Sequence, residues 1–127
     1  MNVPGDRRFT KDHEWALLEG STLRIGITDY AQDALGDVVF VGLPTVGLEV
    51  TGGSAFAEVE STKSVSDIYA PLGGSVARVN DELSDHPELL NQDPYGEGWL
   101  CEITVTDPAA YEGLLSAGDY EALITGS

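Results

Sequence analysis

The sequence predicts a mainly β domain built from many short strands and flanked by a few short helices. Three observations carry this. Short apolar runs rich in Val, Ile and Leu recur along the chain. Turn-forming residues separate them, among them 15 Gly and 6 Pro in 127 residues. Hydrophobic residues make up 42% of the chain, enough for one modest core and too many for a disordered segment.

Taken in order, residues 1–12 read as a polar, loosely held lead-in. Residues 14–18 and 22–27 read as strands joined by Glu19, Gly20 and Ser21. Thr28 is a favourable N-cap for a short helix over residues 29–35, and Gly36 stands where it should stop. A Val- and Phe-rich strand over residues 37–43 ends at Pro44, and residues 45–53 are turn-rich. Residues 54–60 and 65–70 read as strands joined by Ser61, Thr62, Lys63 and Ser64, a hairpin loop with a lysine at its tip. Pro71 and Gly73-Gly74 turn the chain into a strand over residues 75–80. Pro87 sits early in a helical turn over residues 86–90, and residues 91–98 form a loop. A strand follows over residues 99–106. Asp107-Pro108 opens a helix over residues 109–115, and a second short helix covers residues 119–124. No interdomain linker interrupts the chain. A single domain over residues 1–127 is expected, with a core at about 9–106 and a C-terminal helical segment at about 107–126.

Six basic residues face 22 acidic ones, a formal net charge of -16 at pH 7. Such a surface repels phosphate backbones and anionic lipid heads, which argues against nucleic-acid and membrane binding. It suits basic patches on partner proteins. One cysteine, Cys101, excludes an intrachain disulfide, and with two histidines no metal constellation has credible spacing. There is no apolar signal core and no run of membrane-spanning length, and the chain retains Met1. The expected location is the bacterial cytoplasm, with an organelle matrix as the alternative.

The only lysines are Lys11 and Lys63. Lys63 is flanked by small hydroxyl residues, with Glu58, Glu60 and Asp67 close by in sequence. Carboxylates favour the ammonium form, the opposite of what a lysine nucleophile needs. A modifying enzyme, in contrast, needs a lysine presented on an exposed turn. On local composition alone, an ordinary surface lysine in a turn is the favoured reading.

The wider sequence adds a resemblance. Glu60-Ser61-Thr62-Lys63 is similar to the lipoylation signature of glycine cleavage H proteins. So are His13-Glu14-Trp15, the block from Gly26 through Asp37, Ser66-Asp67-Ile68-Tyr69-Ala70-Pro71, Asp93-Pro94-Tyr95-Gly96 and Gly98-Trp99-Leu100, all in the family's order over roughly residues 9–106. Two departures are mild: Thr62 stands where the family usually has Val, and Ser64-Val65 replaces a small pair. They bear on how a lipoyl ligase reads the turn.

The resemblance implies a hybrid barrel-sandwich, lipoyl-domain-like, with a C-terminal helical extension. It implies a non-catalytic carrier with lipoate amide-linked to Lys63, and Glu60, Ser61 and Thr62 as the recognition turn. The arm would shuttle an aminomethyl group from glycine decarboxylase (the P protein) to the folate-dependent aminomethyltransferase (the T protein). Dihydrolipoyl dehydrogenase (the L protein) would reoxidise it, and a lipoyl ligase or transferase would attach it. A monomer is expected. A cationic cargo wants carboxylate partners, so Glu14 and Asp67 are expected to contact the loaded arm, with Asp12 a possible third acceptor. His13 is expected to face solvent or cap an element, and Trp15 and Trp99 to lie in the core or a cleft wall. Two alternatives share the features: an H-like lipoyl relay to other enzymes, and an unmodified acidic adaptor.

Overall fold

The structure is a computed structural model and describes residues 1–126. Two antiparallel sheets enclose the main core. The larger contains β1 (Arg8–Phe9), β2 (Glu14–Glu19), β3 (Thr22–Ile27), β5 (Glu49–Val50), β8 (Gly74–Val79) and β9 (Cys101–Val105), in the order β1-β2-β3-β9-β8-β5. The smaller has β6 (Ala55–Ser61) between β4 (Val38–Gly42) and β7 (Val65–Tyr69). Helices α1 (Asp29–Leu35), α2 (Glu82–Asp85), α3 (Leu89–Gln92) and α4 (Ala117–Thr125) and a 3-10 helix over Pro108–Gly113 fill the connections and the C-terminus. This is the mainly β architecture with short helices that the sequence predicts.

Alternation places Ala16, Leu23, Ile25 and Ile103 of the larger sheet against Val41, Val59 and Ile68 of the smaller. Leu83, Leu90 and Leu100 complete this core. Phe9, Trp15 and Tyr120 form a second, fully buried cluster. Trp15 pairs with Gly26 across β2 and β3. A Cβ at Gly26 would stand 2.5 Å from the indole, so glycine there makes room for the ring.

The opening segment is not loosely held, contrary to expectation. Phe9 is fully buried, stacks on Tyr120 at 4.8 Å between centroids, and exchanges two backbone hydrogen bonds with Leu115. Two further corrections concern helices. Pro87 lies between two helical turns, α2 and α3, rather than inside one. The segment after Asp107 is a 3-10 helix, and the Asp107 side chain does not cap it. Helix α4 begins earlier than expected, with Ser116 as N-cap accepting from the Asp119 N–H, and stops at left-handed Gly126.

Gly74 joins the two layers of pairing on β8, opposite Val50 on one side and Val105 on the other. The carbonyl oxygen of Thr104 occupies the place a Cβ would take. Gly74→Ala is therefore expected to cost about 3 kcal/mol, measured as a fall in the urea midpoint with an unchanged m-value.

Candidate functional site

Strands β6 and β7 are in register from Glu58↔Asp67 through Val59↔Ser66 to Glu60↔Val65, which places Lys63 at the tip of their hairpin. Ser61 is nearly buried and organises the turn. Its Oγ accepts from the N–H groups of Lys63 and Ser64, both at 3.1 Å. The Ser61 N–H donates to the Ser64 carbonyl at 2.8 Å, and the Thr62 N–H donates to the Asp37 carbonyl at 3.0 Å. The turn is thus closed on itself and fastened to the link between α1 and β4. Thr62 and Lys63 are exposed. Glu60 is exposed on the outer face of the sheet, in a row between Phe40 and Val65. Those two apolar side chains are 50% and 60% exposed, so the carboxylate has an unusual apolar frame.

A cleft of about 260 Å³ opens beside this tip. Ala31, Ala34 and Leu35 of α1 form one side, and Ser64, Ser66, Asp67 and Ile68 the other. Asp12, His13, Ile27 and Tyr30 complete it. Ser64 follows Lys63 directly, so the cleft begins where the lysine leaves the chain. Larger concavities lie elsewhere. One, of about 340 Å³, is floored by the Arg24–Glu102 ion pair. Another, of about 490 Å³, spreads over the outer face of the smaller sheet beside Phe56 and Glu58. Neither combines an apolar floor and an acidic rim with the lysine tip.

Asp67, predicted from the sequence, lines the cleft, and so does Asp12. Glu14 differs. It is 1% exposed and lies next to the wall rather than in it. Its Oε1 accepts from the Thr10 hydroxyl at 2.7 Å and its Oε2 from the Tyr69 N–H at 3.1 Å. Among the described residues no cation pairs with it. Burial pushes its carboxyl up to about 7, against the opposing pull of the Thr10 and Tyr69 hydrogen bonds.

His13 is a half-buried wall residue, partly facing the solvent of the cleft as expected but held by side-chain contacts. It holds φ at 69°, a left-handed conformation costly for a residue with a Cβ. Its ring stacks on Tyr30 at 4.6 Å, and its Nδ1 is 2.8 Å from the Tyr120 hydroxyl. That hydroxyl is 2.7 Å from Thr28 Oγ1, which caps α1 by accepting from the Ala31 N–H. Burial lowers the His13 pKa, favouring the neutral ring. Tyr120, on α4, therefore braces the cleft wall. Sequence reasoning missed it, and no local signal could have found it, because its partner lies at the other end of the chain.

The remaining candidates are structural. Trp15 is core, its indole N–H donating to the Pro94 carbonyl at 2.9 Å. Trp99 lies under the guanidinium groups of Arg24 and Arg78. Cys101 is buried, and burial pushes its thiol up to about 12, which leaves it inert. Among the described residues, no group of three or more His, Cys, Asp or Glu is placed to hold a metal ion. Among them, too, no helix is long and apolar enough to cross a membrane.

The chain is similar to known proteins over nearly its whole length. The family model described as glycine cleavage H-protein matches residues 7–126. The chain is 51% identical over 126 residues to the glycine cleavage system H protein of Myxococcus xanthus, covering 99% of this chain and 98% of that protein. It is 56% identical over 124 residues to that of Thermus thermophilus, covering 98% and 97%. Among solved structures, a glycine cleavage system H protein from Mycobacterium marinum superposes with a TM-score of 0.88 at 44% identity, covering 98% of this chain and all of that one.

Proposed function

Because the chain belongs to the glycine cleavage H-protein family, we propose that it is the lipoyl carrier of the glycine cleavage system, with the arm amide-linked to Lys63. The observation that carries this is the fixed hairpin holding an exposed lysine at the mouth of a cleft with acidic residues on its rim. A lipoyl group fits there: the amine is accessible, nothing bulky stands over the tip, and the adjoining cleft has apolar walls. When bound, the group supplies a dithiolane that accepts and releases a one-carbon cargo and cycles between disulfide and dithiol.

The chain's own residues present, receive and shield. Ser61 fixes the turn, and Glu60 and Thr62, exposed beside the lysine, are the features a lipoyl ligase or transferase would read. Ala31, Ala34, Leu35 and Ile68 give the cleft walls that exclude water from a resting arm. Asp67 and Asp12 offer carboxylates to a cationic amine, and Glu14, buried next to the wall, adds its negative charge from behind once it ionises. On this reading the chain is a carrier component, and the bond-making groups belong to its partner enzymes. Its partners within the system are then the glycine decarboxylase, the folate-dependent aminomethyltransferase and the dihydrolipoyl dehydrogenase. The tether keeps the arm at roughly millimolar effective concentration near each docked site. We place this single-domain, monomeric carrier in the bacterial cytoplasm, in keeping with its bacterial relatives.

The test is intact and peptide mass after expression in a lipoylation-competent host supplied with lipoate. One added lipoyl group on the peptide containing Lys63 is expected. An unmodified Lys63, with the host's own lipoyl proteins fully modified, would overturn the reading.

A further inference from the structure

We infer that Gly36 and Asn91 form a seat that sets the direction in which the Lys63 side chain leaves the hairpin, with Asn91 as the positioning residue. The seat serves the arm only on the carrier reading above, but its geometry is independent of that reading.

An exposed lysine stem is normally free to sample many rotamers. Here it lies on Gly36: a Cβ at that position would stand 3.2 Å from Lys63 Cε, and 3.7 Å from both Cδ and Nζ. Gly36 has φ 78° and ψ -155°, a region essentially reserved for glycine, so the floor beneath the stem is bare by conformation.

One amide side chain holds that floor. Asn91 Nδ2 donates to the Gly36 carbonyl at 2.8 Å and to Gln32 Oε1 at 3.2 Å. Its Oδ1 accepts from the Val38 N–H at 3.0 Å. Asn91 thus brackets Asp37 from both sides, and the Asp37 carbonyl is the group that receives the Thr62 N–H. The chain of contacts runs from α3 through the bracketed link to the residue before Lys63. Gly36 directly follows Ala34 and Leu35, which line the cleft. A stem seated on it therefore starts the arm on the α1 side of the cleft mouth.

The test uses the fact that Lys11 and Lys63 are the only lysines. A chain labelled with 13C-lysine gives two sets of side-chain signals, and Cε relaxation reports their order on the picosecond to nanosecond timescale. Lys63 Cε is expected to be clearly more ordered than Lys11 Cε. Asn91→Ala should lower it to the Lys11 level and reduce kcat/KM for lipoyl attachment about five- to twentyfold. Asn91→Asp, which keeps the acceptor for Val38 but has no donor for Gly36, should do the same. Asn80→Ala is the matched control. Asn80 also clamps two carbonyls, of Glu97 and Trp99, but shares no hydrogen bond with the lysine turn, so its loss should leave both readouts within twofold. Equal mobility of the two lysines in the unaltered chain would overturn the inference without any variant. So would Asn91 variants that fold and keep Lys63 ordered. A chain whose Lys63 is ordered but never lipoylated would sink the carrier reading and leave the seat standing.

Discussion

Lys63→Ala is expected to abolish lipoyl attachment, and with it glycine-dependent release of carbon dioxide in a system reconstituted with the partner enzymes. The free energy of unfolding should change by less than about 0.5 kcal/mol. The two expectations separate because Lys63 contributes almost nothing to the core. Its stem rests on Gly36 at the surface, and the turn is closed by Ser61 Oγ and backbone groups that alanine leaves intact. Lys11 cannot substitute. It sits in the turn before β2, outside the hairpin in which Glu60, Ser61 and Thr62 precede Lys63. Lys63→Arg sharpens the test, since it preserves charge and length but offers no amine for amide formation. If the protein acted as an unmodified acidic adaptor, both variants would retain function, because the surface charge of the other residues is untouched. Retained activity in Lys63→Arg would therefore remove the carrier mechanism.

The legible parts of this fold were those fixed by neighbours in sequence. The β2–β3 pair could be read because its partners are separated only by a turn at Gly20, with φ of 63°. Helix α1 could be read because Thr28 and Gly36 mark both ends. The tip position of Lys63 was legible because two short strands flank a four-residue loop, while its candidate role came only from the resemblance carried by motifs along the chain. The missed elements depend on remote partners. β1 and β5 have two residues each, too few to show a period, and exist because β2 and β8 pair with them. Phe9 looked like part of a polar lead-in, yet Tyr120 buries it from more than a hundred residues away. The same separation hid the brace on His13. Asn91 read as the start of a loop, but it falls in α3, and its value lies in three groups, on α1, the α1–β4 link and the start of β4, that no local window includes. The hairpin-tip position of Lys63 and the cleft position of Asp67 were thus legible, and the contacts that hold them were not.

Glu14→Gln should flatten the pH dependence of stability. In the unfolded chain this carboxyl titrates near 4.5, and in the fold burial pushes it up to about 7. Between those values the folded state holds the proton and the unfolded state does not. Stability therefore falls as pH rises through this window, and above about 7 the full penalty of a buried, unpaired carboxylate is present. That penalty is roughly 3 kcal/mol. Glutamine mimics the protonated form: it keeps an oxygen for the Tyr69 N–H and adds an amide toward Thr10. Urea unfolding at pH 5 and pH 8 should show the unaltered chain losing about 2.5 kcal/mol more than the variant across that interval, since a small part of the penalty is already present at pH 5; contributions from the other acids cancel in the comparison. Equal losses would mean that Glu14 is not proton-linked. The same physics bears on the cargo. An ammonium brought to the cleft beside Asp67 and Asp12 would favour the ionised form of Glu14, so loading should release a proton near pH 7, and the buried carboxylate would gain the cation it lacks in the unloaded fold. Retention of a cationic cargo should then weaken in Glu14→Gln above pH 7 and match the unaltered chain below about pH 6, where both carry a neutral group. A strain-free structural acid would show no such crossing.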